Sequence, residues 1–279
     1  MKLKNRDRTV IIILLTVLLF ACICTLSLLL MDSGLEALAD AAASTSPSVL
    51  PSPSPTATPE PSSTPEPTPT PEPTPKLRER TELLILVNPW NKLPENYQPE
   101  LEEIPQADTE DPLYVDVRCA DALKQMIDDC EAAGNHPYIC SAYRSLEKQQ
   151  FLFNNKIRRL VLEGTDPDEA PDIAAMSVAK PNTSEHQLGL AVDIIDFFYT
   201  NLDKGQEETS TQQWLMENSW RYGFILRYPN GSSDITGIIY EPWHYRYVGE
   251  EAAAEIYELG VTLEEYLDMF YEPLESSGE

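Results

Sequence analysis

Apolar and polar positions follow three different regimes along this chain. Residues 10–31 form an uncharged, largely apolar run preceded by Lys2, Lys4, Arg6 and Arg8. At 1.5 Å per residue such a run makes a helix of roughly 33 Å, enough to cross a hydrocarbon core of about 30 Å. The basic residues before it predict that residues 1–9 stay in the cytoplasm. A cleaved signal segment has a shorter apolar region of about 7–15 residues, so an uncleaved transmembrane anchor is expected. Ala37-Leu-Ala39 and Ala41-Ala-Ala43 are the small-residue positions where cleavage would otherwise fall. Over residues 32–75 periodicity disappears. Pro, Ser, Thr and Glu dominate, with imperfect Thr-Pro-Glu-Pro repeats. That composition buries too little apolar surface to offset its ordering entropy, which predicts a disordered linker. Proline biases it toward polyproline II at about 3.1 Å per residue, so some thirty residues reach on the order of 90 Å. The segment reads as a spacer, or equally as a tether with no length requirement.

From residue 76 to 279 the pattern is that of a globular domain, long enough for one substantial core. Leu83 to Val87 reads as a short strand, and Asn88 to Pro99 as a loop punctuated by proline. Between Asp116 and Ala133 apolar residues recur at helical spacing (Val117, Leu123, Met126, Ile127), and Gly134 is a stop. Tyr138 to Ala142 reads as a strand. Leu146 to Leu162 reads as a helix capped by Ser145, with Gly164 beyond its end. Leu190 to Ile195 is a buried strand, and Thr211 to Tyr222 a helix ending at Gly223. Ile238 to Val248 is strand-like but interrupted by Pro242. Glu251 to Glu258 and Leu263 to Tyr271 are closing helices. Strands and helices mix without a regular βαβ repeat, which predicts an α+β fold.

Charge narrows the function classes. The formal net charge of -26 repels a phosphate backbone, so nucleic acid is not expected as a partner. Of the five cysteines, Cys22 and Cys24 lie in the apolar run. Cys119, Cys130 and Cys140 lack zinc-ribbon spacing. An extracellular domain permits one disulfide among these three, with one thiol left over.

Only His136, His186 and His244 represent histidine, and two of them sit among other polar groups. One segment is Ser184-Glu-His186-Gln-Leu-Gly189-Leu-Ala191-Val-Asp193, the other Tyr240-Glu241-Pro-Trp243-His244-Tyr-Arg246. Hydrolytic zinc takes three protein ligands and leaves one position open, a rule that His186, Asp193 and His244 can satisfy. Asp193 lies in an otherwise apolar strand, where a carboxylate needs a cation or hydrogen-bond partners. Gly189 permits a tight turn or a close backbone approach there. Glu241 is three residues before His244, opposite in face on a regular strand. A distortion at Pro242 can turn it toward the metal, where it can accept a proton from water. Cys140-Ser-Ala-Tyr143-Arg144-Ser145 follows a strand and opens a helix, and the Arg144 fork suits a carboxylate or an oxyanion. Each residue alone has an ordinary structural role open to it. His136, beside Pro137, is read as structural. The joint occurrence of three segments points to a site.

Together, Ser141-Ala-Tyr-Arg-Ser145, the segment 184–193 and Glu241-Pro-Trp-His244 resemble the three signatures of the VanY-type zinc D-alanyl-D-alanine carboxypeptidases. Leu86-Val-Asn88, Leu93-Pro94, Tyr97, Tyr222-Gly-Phe224 and Arg227-Tyr-Pro229 resemble further stretches of that family, so the likeness runs from about residue 83 to 249. The resemblance implies a small antiparallel sheet flanked by helices, as in the hedgehog/DD-peptidase superfamily. It implies Zn²⁺ on His186, Asp193 and His244, with Glu241 as base and Arg144 on the carbonyl oxygen or substrate carboxylate. Ser184 would bind substrate, with Tyr143 and Gln149 as candidate wall residues. Trp243 would shape the pocket, and Arg246 would be structural. The implied activity is removal of the terminal D-alanine from peptidoglycan stem peptides by a bacterial membrane-anchored domain facing outward. An L,D-carboxypeptidase acting on tetrapeptide stems is the alternative within the superfamily, and a non-catalytic peptidoglycan- or protein-binding module the alternative outside it.

Overall fold

The computed structural model describes residues 78–105 and 112–271. The expected anchor at 10–31, the linker at 32–75 and the pair Cys22 and Cys24 lie outside the described residues. No helix among the described residues is long and apolar enough to cross a membrane.

In chain order the elements are β1 (Leu101–Ile104), β2 (Leu113–Asp116), α1 (Val117–Ala132), β3 (Pro137–Ser141), α2 (Leu146–Leu162), α3 (Ala170–Ala175) and β4 (Ala191–Asp196). Then follow α4 (Ser210–Asn218), β5 (Phe224–Leu226), α5 (Ser233–Thr236), β6 (His244–Tyr247), α6 (Glu250–Leu259) and α7 (Leu263–Phe270). β1 pairs with β2, and a four-stranded antiparallel sheet runs β3-β4-β6-β5. The α+β expectation therefore holds, with helices packed around a small antiparallel sheet.

α1 starts where the sequence places it. The Asp116 side chain accepts from the Arg118 N–H at the N-cap. Cys119, Leu123, Met126 and Cys130 recur four, three and four residues apart and are all buried. They pack on Ile139, Val192, Ile194, Leu215, Phe224 and Tyr245, so β4 and β6 give one face to this core. α6 and α7 close a second cluster around Ile225, Val248, Ile256, Leu263 and Tyr266. A reciprocal capping box between Thr262 and Glu265 fixes the start of α7.

Several expectations need correction. Leu83 to Val87 is not a strand. A 3-10 turn spans Glu82–Leu84, and the backbone carbonyls of Leu83 and Ile85 accept from Arg246 Nη2 instead of from a neighbouring strand. The strand-like stretch from Ile238 narrows to β6, because Glu241-Pro-Trp turns so that the His244 N–H donates to the Glu241 carbonyl. The helix expected over 211–222 is α4 followed by a 3-10 turn, Ser219–Tyr222, which stops at Gly223 with φ +80°. No disulfide forms among Cys119, Cys130 and Cys140: all three are free thiols, the first two buried and the third partly so.

Candidate active site

The register of the sheet sets the site. In the antiparallel pair β4–β6, Asp193 lies directly opposite His244, so both side chains leave the same face. On the other edge of β4, Asp193 pairs with Ser141 across a register shift after Ile139. That irregularity ends β3 and turns the chain so that Arg144 lies beside Asp193. His186 comes from a 3-10 turn, Glu185–Leu188, that enters β4 through Gly189 at φ +76°. A Cβ on Gly189 would stand 3.1 Å from the Asp116 nitrogen, whose N–H donates to the Gly189 carbonyl at 2.8 Å. Close backbone approach and positive φ both require glycine here.

His186 Nε2 lies 3.2 Å from Asp193 Oδ2, and His244 Nδ1 lies 3.0 Å from Asp193 Oδ1. These three residues offer ligand atoms within 4.8 Å of one another and form the group among the described residues able to hold a metal ion. The outer ring nitrogens fix the tautomers. His186 Nδ1 lies 2.8 Å from the Ala142 carbonyl, a partner that can only accept, so the proton belongs on Nδ1 and the Nε2 lone pair faces inward. His244 Nε2 faces Glu185 Oε2 at 3.5 Å, the edge of hydrogen-bond reach, and neither atom has a closer partner among the described residues. Two inward-facing imidazole nitrogens and a carboxylate make a donor set of the N₂O type that suits Zn²⁺.

The charges around the site explain its titration. Burial alone would raise the Asp193 carboxyl, but His186, His244 and Arg144 hold it well below the usual carboxylate range. Burial, with Arg144 close by, lowers His186 to about 4. Burial also opposes charging of His244, yet the hydrogen bond to Asp193 and the nearby Glu185 and Glu241 carboxylates outweigh it and raise that imidazole to about 9. The two rings differ because a guanidinium neighbours one and carboxylates surround the other. Without metal, a proton therefore sits on His244 among Asp193, Glu185 and Glu241. A divalent cation replaces the charge that this proton supplies.

Glu241 is 7% exposed and its Oε2 lies 3.9 Å from His244 Nδ1. Burial raises its carboxyl to about 8, with Asp193 adding to the shift and His244, Arg144 and Lys156 opposing it. The Glu241-Pro-Trp turn, held also by the Glu241 N–H donating to the Tyr228 carbonyl at 3.2 Å, brings it onto the same side as His244. Arg144 donates through Nη2 to Asp193 Oδ2 at 2.7 Å and through Nε to Ser141 Oγ at 2.9 Å. Its Nη1 has only a long contact to Gln149 Oε1, at 3.5 Å.

A cavity of about 420 Å³ opens over these groups. Arg144, Ser184, His186, Asp193, Glu241, Trp243 and His244 all line it. Two of the sequence candidates do not. Gln149 is fully buried behind Arg144, donating to the Ala179 carbonyl at 2.7 Å. Tyr143 donates its N–H to the Tyr114 carbonyl at 2.8 Å and lies off the cavity wall. His136 sits outside the site, its ring edge-on to Phe198 at 4.8 Å.

The residue that sequence reasoning missed is Glu185. It is fully buried and accepts from Arg227 Nε and Arg246 Nη1, both at 2.8 Å. Arg227 also clasps Glu264 through both terminal nitrogens, and Asn88 Nδ2 donates to the same carboxylate at 3.0 Å. A glutamate next to a candidate ligand histidine in a polar segment looks like a surface residue. The signal was the presence of two arginines in segments that otherwise read as buried.

Residues 112–250 match the family model of VanY, D-alanyl-D-alanine carboxypeptidase. The chain is 44% identical over 187 residues to the D-alanyl-D-alanine carboxypeptidase of Enterococcus faecalis, covering 66% of this chain and 65% of that protein. It superposes on a vancomycin-resistance D,D-pentapeptidase VanY bound to Zn(II) with a TM-score of 0.60 and 43% identity, over 66% of this chain and 98% of that one. The chain belongs to the VanY family. The likeness extends to the LdcB LD-carboxypeptidase, with a TM-score of 0.57 and 33% identity over 71% of this chain and 95% of that one. This VanY-family chain spans 65% of the length of the curated enterococcal relative.

Proposed function

We propose that this chain is a zinc-dependent D-alanyl-D-alanine carboxypeptidase that removes the terminal D-alanine of peptidoglycan stem peptides. The observation that carries the reading is the convergence of His186 Nε2, the Asp193 carboxylate and His244 Nδ1 beside a buried Glu241 on the floor of one cavity. When bound there, zinc supplies Lewis-acid polarisation and acidifies water in its open position. Glu241 accepts the proton of the attacking water and returns it to the departing amine, a role for which a carboxyl raised by burial is suited. Arg144 lines the cavity, and its Nη1, which has only the long Gln149 contact, is available to the negative charge that develops on the carbonyl oxygen. Asp193 and Ser141 hold that guanidinium in place. Ser184 and Trp243 wall the substrate.

The D,D reading is supported by 43–44% identity to two D,D enzymes, against 33% to the L,D enzyme, while other D,D relatives stand at 32–34%. The presence of both Glu241 and Arg144 on the cavity beside the His186, Asp193 and His244 cluster argues against a binding module. The apolar run at 10–31, with basic residues before it, supports a membrane anchor that places the domain outside the cell. Glu241→Ala is expected to keep one equivalent of zinc and lose at least 10²-fold in D-alanine release from a pentapeptide. Release at the parental rate would refute the role given to Glu241.

A further inference from the structure

One wall of the cavity is cationic, and the catalytic reading leaves it unused. α2 presents Leu152, Asn155, Lys156 and Arg159 to the cavity, a stripe at positions i, i+3, i+4 and i+7. On an ordinary packed helix this stripe is apolar. Here its outer half is two cations. Most other arginines of the domain are spent on carboxylates: Arg78 on Glu255, Arg118 on Asp116, Arg144 on Asp193, and Arg227 and Arg246 on Glu185. The side chains of Lys156 and Arg159 join no ion pair or hydrogen bond among the described residues, in a chain with 46 acidic residues. Lys156 is half-buried, and its charge is felt at Glu241. Apolar side chains also line the cavity, among them Leu202, Ile238, Ile239 and Trp243.

We propose that Lys156 and Arg159 form a subsite for a free carboxylate carried by the peptide on the N-terminal side of its scissile bond. The inference rests on the peptidase reading above. The competing occupant, distinguished by a charge change confined to the upstream residue, is the terminal carboxylate. That group lies one residue beyond the scissile carbonyl, less than about 4 Å of chain. Lys156 and Arg159 stand about 16 and 21 Å along the α2 axis from Ser145, which adjoins Arg144. Their side chains lean back toward the Arg144 end, and Lys156 is near enough to be felt at Glu241, so the upstream carboxylate they meet lies within a few residues of the scissile bond. A chain lying across the cavity has its apolar side chains against Ile238 and Ile239 and its upstream carboxylate against α2. A net charge of -26 repels an anionic peptide from most of the surface, so two unpaired cations at this mouth also select the direction of entry.

The test uses the full-length zinc-loaded protein and two blocked peptides ending in D-Ala-D-Ala. One carries a glutamate two residues before the scissile pair and the other a glutamine, so they differ in charge and hardly in shape. The parent is expected to favour the glutamate peptide about fivefold in kcat/KM, through KM, with the preference shrinking as ionic strength rises. In the double variant Lys156→Gln/Arg159→Gln the ratio falls to about one. Lys124→Gln/Arg221→Gln, which removes the same two positive charges at exposed positions outside the cavity, keeps the parental ratio. A ratio near one in the parent, or a fivefold ratio that survives in the double variant, overturns the subsite. Cleavage of neither peptide overturns the peptidase reading with it, whereas equal cleavage of both overturns the subsite alone.

Discussion

Replacing Glu185 with glutamine removes one negative charge from the buried node behind His244 while keeping its shape. Glu185 and Glu264 balance Arg227 and Arg246, and all four side chains are at most 11% exposed. After the change two buried guanidiniums share one carboxylate. Removing one partner of a buried pair costs about 3–5 kcal/mol, because the cation left behind has already lost its water. The retained amide oxygen still accepts one hydrogen bond, which places the expectation near the lower end, ~3 kcal/mol. With a urea slope of about 2–3 kcal/mol/M, the unfolding midpoint of the metal-free protein should fall by roughly 1–1.5 M at pH 7. The pH dependence follows from the sign of the shift. Burial would raise the Glu185 carboxyl, but Arg227 and Arg246 hold it below its unfolded value. Its contribution is thus present in full above the unfolded value near 4.3, and is lost as pH falls through the lower folded value. The difference between parent and Glu185→Gln should persist from pH 8 to 5 and narrow only well below 4. The same substitution loosens the outer nitrogen of His244, so zinc affinity should drop about 10–100-fold. Equal urea midpoints for the two proteins at pH 7 would refute the claim that this node holds the site together.

Three further outcomes follow from the geometry. In metal-free protein Glu241 has a folded value of about 8, above its unfolded value, so its protonated form stabilises the fold below pH 4–5 and this is lost as pH rises through 8. Glu241→Gln should therefore gain a few kcal/mol relative to the parent between pH 5 and 9 in chemical unfolding; a gain that does not vary with pH would contradict the burial argument. Asp193→Asn should abolish stoichiometric zinc binding measured by metal analysis of dialysed protein, since the amide cannot supply the anionic ligand between the two imidazoles. Gly189→Ala should lower stability by about 1–3 kcal/mol, because a Cβ at φ +76° meets the Asp116 backbone. An unchanged melting temperature would show that the turn can relax.

Local pattern determined a good deal of this protein. Helical spacing with Ser145 before and Gly164 after predicts α2 at the bounds the structure gives it, and the same logic gives α1 to within a residue. These elements are legible because their caps and apolar faces lie within one contiguous stretch. His186, Asp193, Glu241 and His244 were legible as candidates too, since zinc chemistry restricts the residue types that can serve it, and the fold brings them together. Tertiary structure decided the rest. Nothing local says that Asp193 pairs with His244 in the sheet, or that residues 83–87 lend their carbonyls to Arg246 instead of a strand neighbour. Nor does sequence place Gln149 behind Arg144 or bury Glu185 between two arginines, because polar residues look alike whether they meet water or one another. Periodicity reports which face of a segment is apolar. Which segments meet, and in what register, depends on contacts between residues as far apart in the chain as Glu185 and Arg246, and only the packed fold supplies those.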